Sequence, residues 1–275
     1  MSTDPTDLAE GAWAAYEAAA GASGVVVRRL AEIDELREAA EVLGEIWGVP
    51  ENPPMSAELL RAMGKADSYV AGAYDGDTMV GVCVGFHSTP ASRTMHSHIA
   101  GVLSSVGGRH VGFALKLHQR AWCLDRGIEL IEWTFDPLVA RNAYFNLAKL
   151  GAHVAEYLPD FYGAMTDAIN RDEESDRILV HWPLTDPRVV TACAGAPVRP
   201  VVPSGAAASW VQVPRDVEAE RRADPEQSRD WRAKVRDQLL TALTAGGSVA
   251  GFDKEQGYLV LPAGDHGGDH EGETE

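Results

Sequence analysis

The sequence predicts an α/β protein of the α+β kind, and three observations carry that class. Strand and helix signals run in the order β-α-α-β-β-β and then α-β-α-β-β, with a glycine-rich turn between the two groups. Asp75-Gly76-Asp77 between two apolar runs predicts a hairpin, so neighbouring strands there pair antiparallel. A dinucleotide-binding order would place its glycines after the first strand; here they follow the fourth.

Each element has its own signal. Asp7 to Ala20 predicts an amphipathic helix ended by Gly21-Ala22-Ser23-Gly24, so residues 1–24 read as a loosely attached flexible or helical leader. Val25 to Leu30 is a first strand, and Ile33, Leu36, Ala40, Leu43 and Trp47 then fall at helical spacing. A proline-rich loop follows, with Ser56 as N-cap of a short helix through Met63. Tyr69–Tyr74 and Met79–His87 form the hairpin, and Met95–Leu103 is the fourth strand. A helix from Val111 to Asp125 stops at Gly127, as a left-handed C-terminal glycine requires. The strand Ile128–Phe135 is broken by Asp136-Pro137, and the helix Val139–Leu150 is closed by Gly151. A strand with a loop covers His153–Tyr162, and Arg177–Trp182 is the last strand of a main domain spanning 25–185. Residues 186–209 read as a proline-rich linker. Residues 210–262 read as a small α/β extension: a short strand at Trp210, a helix Pro225–Ala245 and a hairpin over 251–261. The glycine-rich acidic tail, 263–275, reads as disordered.

The 275 residues are 45% apolar, enough for one good core and a smaller second one. A net charge of −17 speaks against nucleic-acid binding, which needs clustered Lys and Arg. No apolar run approaches the ~20 residues of a membrane span, and the acidic Met1-Ser2-Thr3-Asp4-Pro5 lacks the basic start of a secretory signal. Cys83, Cys123 and Cys193 are too sparse for a disulfide framework or a zinc pattern. A cytoplasmic location is therefore expected, with neither membrane nor nucleic acid as partner.

Chemistry concentrates in the turn Ser104-Ser105-Val106-Gly107-Gly108-Arg109-His110-Val111-Gly112. A strand that stops in glycines and restarts as a helix leaves backbone N–H groups converging at the positive end of the helix dipole. That is a ready phosphate or diphosphate site.

With these features the chain resembles the GCN5-related N-acetyltransferase superfamily over Val25 to Leu184, most strongly from Gly101 to Ala152. That resemblance implies a mixed, mostly antiparallel central sheet flanked by helices. It also implies a Gln/Arg-x-x-Gly-x-Gly/Ala loop after strand four that holds the diphosphate of an acyl-coenzyme A. Arg109-x-x-Gly112-x-Ala114 fits the letters of that motif. Gly107 to Gly112 fits the strand-to-helix spacing better, with Gly107 in the Gln/Arg place and His110 in a glycine place. The run Trp133 to Leu138, with Arg141-Asn142-Ala143, Phe145-Asn146, Lys149 to Ala152, Tyr162-Gly163 and Asp176-Arg177, is similar to a less studied group of acyltransferases in that superfamily.

The resemblance implies acetyl-CoA or another acyl-CoA as co-substrate, no metal, and a small-molecule amine as acceptor. Its cofactor-binding positions fall on Val102, Leu103, Ser104, Gly107, Gly108, Arg109, His110, Val111 and Gly112, with Asn142 and Asn146 four apart on the later helix. Val102 N–H is expected to face the thioester carbonyl. Strand periodicity puts His96, His98, Ala100 and Val102 on one face and Glu132, Thr134 and Asp136 on one face. Glu132 and His98 are the candidate bases; His96-x-His98 as a metal pair has no third ligand at a convincing spacing. The superfamily's usual acid is a Tyr where this chain has Leu147, so Tyr144, Tyr157 or Tyr162 would substitute, or the thiolate leaves unassisted. Tyr162 and Arg177 are candidate substrate-binding residues, Arg177 suiting an acceptor that bears a carboxylate. Lys116 and Arg120, four apart, read as a solvated helix flank, with coenzyme phosphates as the alternative.

Two other readings stay open. The altered loop letters and Leu147 suit an acyl-CoA-binding sensor or scaffold without turnover. The segment around Trp231 to Leu261 suits a partner-binding or homodimer-forming element.

Overall fold

The computed structural model describes residues 5–163, 174–205 and 207–263. The acidic tail beyond residue 263 lies outside the described residues. Ten strands form two sheets among those residues. The larger has the order β1-β2-β3-β4-β5-β7-β6, antiparallel except for β4–β5. This is the mixed, mostly antiparallel sheet flanked by helices that the resemblance implies.

Its first half is built from local signals. β1 (Val26–Arg29) leads to α2 (Ile33–Trp47), which opens with a Glu32/Glu35 capping box and closes at Gly48, φ 68°. α3 (Ala57–Lys65) starts where Ser56 Oγ accepts the Leu59 N–H. β2 (Tyr69–Asp75) and β3 (Thr78–His87) are the expected hairpin, turning at Gly76 with φ 59°. α2 and α3 cover one face of these strands with Leu36, Leu43 and Leu60, each at most 1% exposed. Each of those side chains contributes about 2 kcal/mol by burial.

The other face carries α4 (Val111–Leu124), and here the structure corrects the sequence reading. α1 (Pro5–Ser23) is not loosely attached. It packs along α4, with Ala12 at 1% exposure, Trp13 and Tyr16 edge-on to His118, and Trp13 Nε1 donating to Asp125. α4 is therefore covered on both sides, and on the side turned to Trp133, Trp182 and Leu184 the side chains of Lys116 and Arg120 are buried rather than solvated or directed at phosphates. Lys116 Nζ donates to Ser97 Oγ and Gln119 Oε1 and lies 4.0 Å from the Trp133 ring centre; Arg120 donates twice to Leu184 O.

β4 (Thr94–Val102) and β5 (Leu130–Phe135) follow, and then α5 (Ala140–Ala143), which continues as a π-helical run, Tyr144–Lys149. β6 (His153–Leu158) and β7 (Arg177–Pro183) complete the large sheet. Part of the stretch read as a linker is helical: α6 (Pro187–Cys193) buries Val189 and Cys193 in the main core and crowds Gly151.

The C-terminal part adds β8 (Ser209–Val211), α7 (Val217–Ala223), α8 (Pro225–Thr244), β9 (Ser248–Asp253) and β10 (Gly257–Leu261). Its three strands pair as β8-β10-β9. Buried polar groups bind it to the large sheet. Asp136, just past β5, accepts from Arg221 Nη2 at 2.5 Å and Arg232 Nη2 at 3.1 Å. Asp176 accepts from Arg236 and from Tyr157 Oη, and Tyr258 Oη donates to Pro137 O. No described helix is long and apolar enough to cross a membrane.

Candidate active site

Antiparallel strands alternate between residues bonded to one neighbour and residues whose N–H and C=O point the other way. Leu103 N–H donates to Val80 O, so Gly101 and Ile99 also face β3. Ala100 and Val102 then turn their N–H and C=O toward β5. Among the described residues they find no strand there: the β4–β5 ladder covers only Thr94–His96 against Leu130–Glu132. Across the gap, Leu184 N–H donates to Glu129 O, which by the same alternation leaves Thr134 with its N–H and C=O facing β4. The two strands thus splay apart with unbonded backbone groups on both walls. An extended diamide chain fits such a slot as an added strand does.

The slot leads to the glycine turn. Leu103 ends the strand, and a single 3₁₀ turn, Ser104–Val106, follows. Gly107 N–H returns to Ser104 O and Arg109 N–H to Val106 O. The N–H groups of Gly108, His110, Val111 and Gly112 have no acceptor among the described residues, and they sit at the first turn of α4. His110 caps the helix with φ 64°, the left-handed conformation that glycine adopts without strain. That conformation fits the register in which His110 stands in a glycine place. Arg109 is a correction: its guanidinium is held by Asp75 Oδ2 at 2.5 Å and Ser23 O at 3.0 Å, so neither its side chain nor its N–H faces an anion.

On β4 the expected single face is broken. A bulge lies between Val84↔Ile99 and Gly85↔Ser97, and His98 is the extra residue. His96 and His98 consequently lie with Phe86, at ring distances of 5.1 and 5.7 Å, while Ala100 and Val102 share the α4 face with Cys83 and Gly81. Burial lowers the pKa of both histidines, and for His96 the neighbouring His98 and Lys116 add to it. Both rings are therefore neutral at pH 7.

Glu132 joins this group. Its Oε1 lies 4.0 Å from His96 Nδ1 and its Oε2 3.8 Å from His181 Nε2. Two residues on, along the same face of β5, Thr134 Oγ1 lies 3.2 Å from Tyr162 Oη. The Arg177 guanidinium lies 5.3 Å from the Tyr162 ring centre, 7% exposed, and donates to Asp176 O. Asp176 takes its ion pair from Arg236. His181 is the site neighbour that sequence reasoning missed. It reaches Glu132 only through the β5–β7 register, 49 positions along the chain. Trp47 was assigned to helix packing; its ring lies where a Cβ on Gly101 would come within 2.7 Å.

The candidate acids separate. Leu147 is buried, 1% exposed. Tyr157 is buried and donates to Asp176; burial first, then that carboxylate, raises its pKa far above the ordinary value. Tyr144 lines a cavity, with Lys254 Nζ 4.2 Å from its ring centre. Asn146 is 5% exposed and Asn142 half-buried, and neither amide has a hydrogen-bond partner among the described residues. The three thiols are buried, and burial raises the pKa of each, to about 11 for Cys193. Among the described residues no group of three or more His, Cys, Asp or Glu is placed to hold a metal ion.

No protein-family model matches the chain, and no curated protein does. Solved structures do. The ribosomal-protein-S18-alanine N-acetyltransferase of Escherichia coli aligns at TM-score 0.49 and 15% identity, over 59% of this chain and 95% of that one. An aminoglycoside 6′-acetyltransferase type Ii aligns at 0.48 and 19%, over 58% and 98%. An acetyltransferase of the GNAT family from Streptococcus pneumoniae aligns at 0.48 and 12%, over 57% and 97%.

Proposed function

We propose that this chain is an acyl-CoA-dependent N-acyltransferase of the GCN5-related superfamily, moving an acetyl or other short acyl group to the primary amine of a small molecule. One observation carries the reading: the unbonded backbone groups of Ala100, Val102 and Thr134 form a slot that runs into the unbonded N–H groups of Gly108 to Gly112. A thioester carrier with a diphosphate at one end and an amide-containing arm at the other matches both parts.

The residues then divide the work. Gly108, His110, Val111 and Gly112 hold the diphosphate through N–H groups. Val102 N–H faces the thioester carbonyl and stabilises the charge that develops on its oxygen. The neutral His98 ring or the Glu132 carboxylate, directly or through water, takes the proton of an ammonium acceptor. The freed amine attacks the acyl carbon in a ternary complex, the C–S bond breaks, and an amide and a thiol leave. Tyr162 Oη, 3.2 Å from Thr134 Oγ1, protonates the thiolate in this reading. No buried cysteine is needed as an acyl carrier.

Thiol release from a panel of acyl-CoA donors, with amino acids, polyamines and aminoglycosides as acceptors, tests the reading. Turnover that falls with Glu132→Gln or His98→Ala supports it. Tight coenzyme binding with no turnover against any acceptor supports the second reading, a binding module, which Leu147 in the usual place of the acid favours.

A further inference from the structure

α5, its π-helical continuation and the C-terminal part enclose a cavity of about 470 Å³, the size of a small-molecule site. Arg141, Tyr144, Phe145 and Lys149 line it from the helix after β5; Arg215 precedes α7, and Lys254 lies in the β9–β10 turn. Glu255 is the one carboxylate in a wall that holds four cations, in a chain of net charge −17. Arg141 is already paired with both oxygens of Glu218, at 2.5 and 2.8 Å. Lys149, Arg215 and Lys254 have no carboxylate partner among the described residues. Burial, and then the nearby Lys254, lower the pKa of Lys149. The rings of Tyr144 and Phe145 supply a flat apolar wall beside these charges.

The cavity adjoins the glycine turn. Lys149 Nζ lies 3.1 Å from Nδ1 of His110, the residue that caps α4. A ligand with its diphosphate on α4 would therefore have its next portion at this cavity. We propose that the cavity binds a phosphate monoester attached to a nucleoside, that this is the adenosine 3′-phosphate of the coenzyme, and that Arg215 and Lys254 make the C-terminal part a working portion of the coenzyme site. The proposal rests on the acyl-CoA reading given above. It assigns a role to a segment that the fold of the main domain does not require.

Calorimetric titration of the full chain with coenzyme A and with dephospho-coenzyme A, which lacks only the 3′-phosphate, tests it. Wild type should prefer coenzyme A by about tenfold or more, as a charge-assisted phosphate contact implies. Arg215→Gln with Lys254→Gln should abolish that preference and leave dephospho-coenzyme A binding unchanged. Adenosine 3′,5′-bisphosphate should displace coenzyme A from wild type. A preference that survives the double variant, or none in wild type, overturns the proposal and leaves the acyl-CoA reading standing. Lys254-dependent binding of the bisphosphate without displacement of coenzyme A would assign the cavity to a separate phosphorylated ligand and overturn the coenzyme source. If wild type binds neither coenzyme form, the acyl-CoA reading fails first.

Discussion

Asp136→Asn should loosen the C-terminal part from the large sheet, and its cost follows from what Asp136 touches. The carboxylate is buried, 8% exposed, between the Arg221 and Arg232 side chains, themselves 1% and 4% exposed. Burial alone would raise its pKa; the two guanidiniums outweigh burial and hold it at about 2. Asparagine keeps the size of the side chain and an oxygen for the Leu138 N–H but removes the charge. Removing one partner of a buried ion pair costs about 3–5 kcal/mol, and the lower end is expected here because the amide still bonds. For a chain of this size about 3 kcal/mol lowers Tm by roughly 6–12 °C. Urea unfolding followed by tryptophan fluorescence reads the loss directly, since Trp133, Trp182 and Trp231 lie on both sides of the joint. The pH dependence gives a second reading. A carboxylate held at about 2 when folded, against about 3.9 unfolded, contributes stability above pH 4 that disappears as pH falls toward 2. Asp136→Asn should lack about 2.5 kcal/mol of that acid limb. A loss below about 1 kcal/mol with an unchanged acid limb would refute the claim that this charge fastens the two parts.

Three further outcomes are expected. Lys116 loses its proton at about 8 in the folded chain because burial disfavours the charge, against 10.5 ordinarily. Between those pH values the unfolded state holds more protons, so stability should rise with pH by about 3 kcal/mol, and Lys116→Met should flatten that rise in denaturation curves at pH 7.5 to 10.5. If His98 is the base, kcat/KM should fall as pH drops through its lowered pKa, below 6.5, and His98→Ala should remove that limb; a limb that persists assigns it elsewhere. Ala12→Glu should expose the outer side of α4, destabilising the chain by about 2 kcal/mol or more in urea melts, because Ala12 is 1% exposed against it.

The large elements were legible because their signals are local. α2 showed its period up to Trp47; the β2–β3 hairpin showed its Asp-Gly turn; α4 showed the glycines before and after it. What was not legible depends on partners distant in sequence. Lys116 and Arg120 look like a wet helix flank until Trp133, Trp182 and Leu184, all distant in sequence, close over them. α7, Val-Glu-Ala-Glu-Arg-Arg-Ala, gave no helix signal because it buries one apolar residue, Val217, and otherwise a charged one, Arg221, whose partner Asp136 is 85 positions away. In the site, the glycine turn and Glu132 could be named from spacing. The bulge at His98 could not, because an extra residue leaves no mark in a strand's composition, and it moved the histidines away from the face shared by Ala100 and Val102. The π-helical run likewise has no sequence period of its own to betray it.

The central claim is that backbone amides at the start of α4 grip the coenzyme diphosphate, and Gly112→Val tests it most directly. A Cβ at Gly112 meets nothing nearer than Val102 Cγ2 at 3.7 Å, ordinary van der Waals contact, and the methyl groups beyond it would obstruct the amide surface. Titration with coenzyme A should show at least a tenfold loss of affinity, about 1.4 kcal/mol, with Tm within a few degrees of wild type. Equal affinity in the variant and wild type would contradict the account.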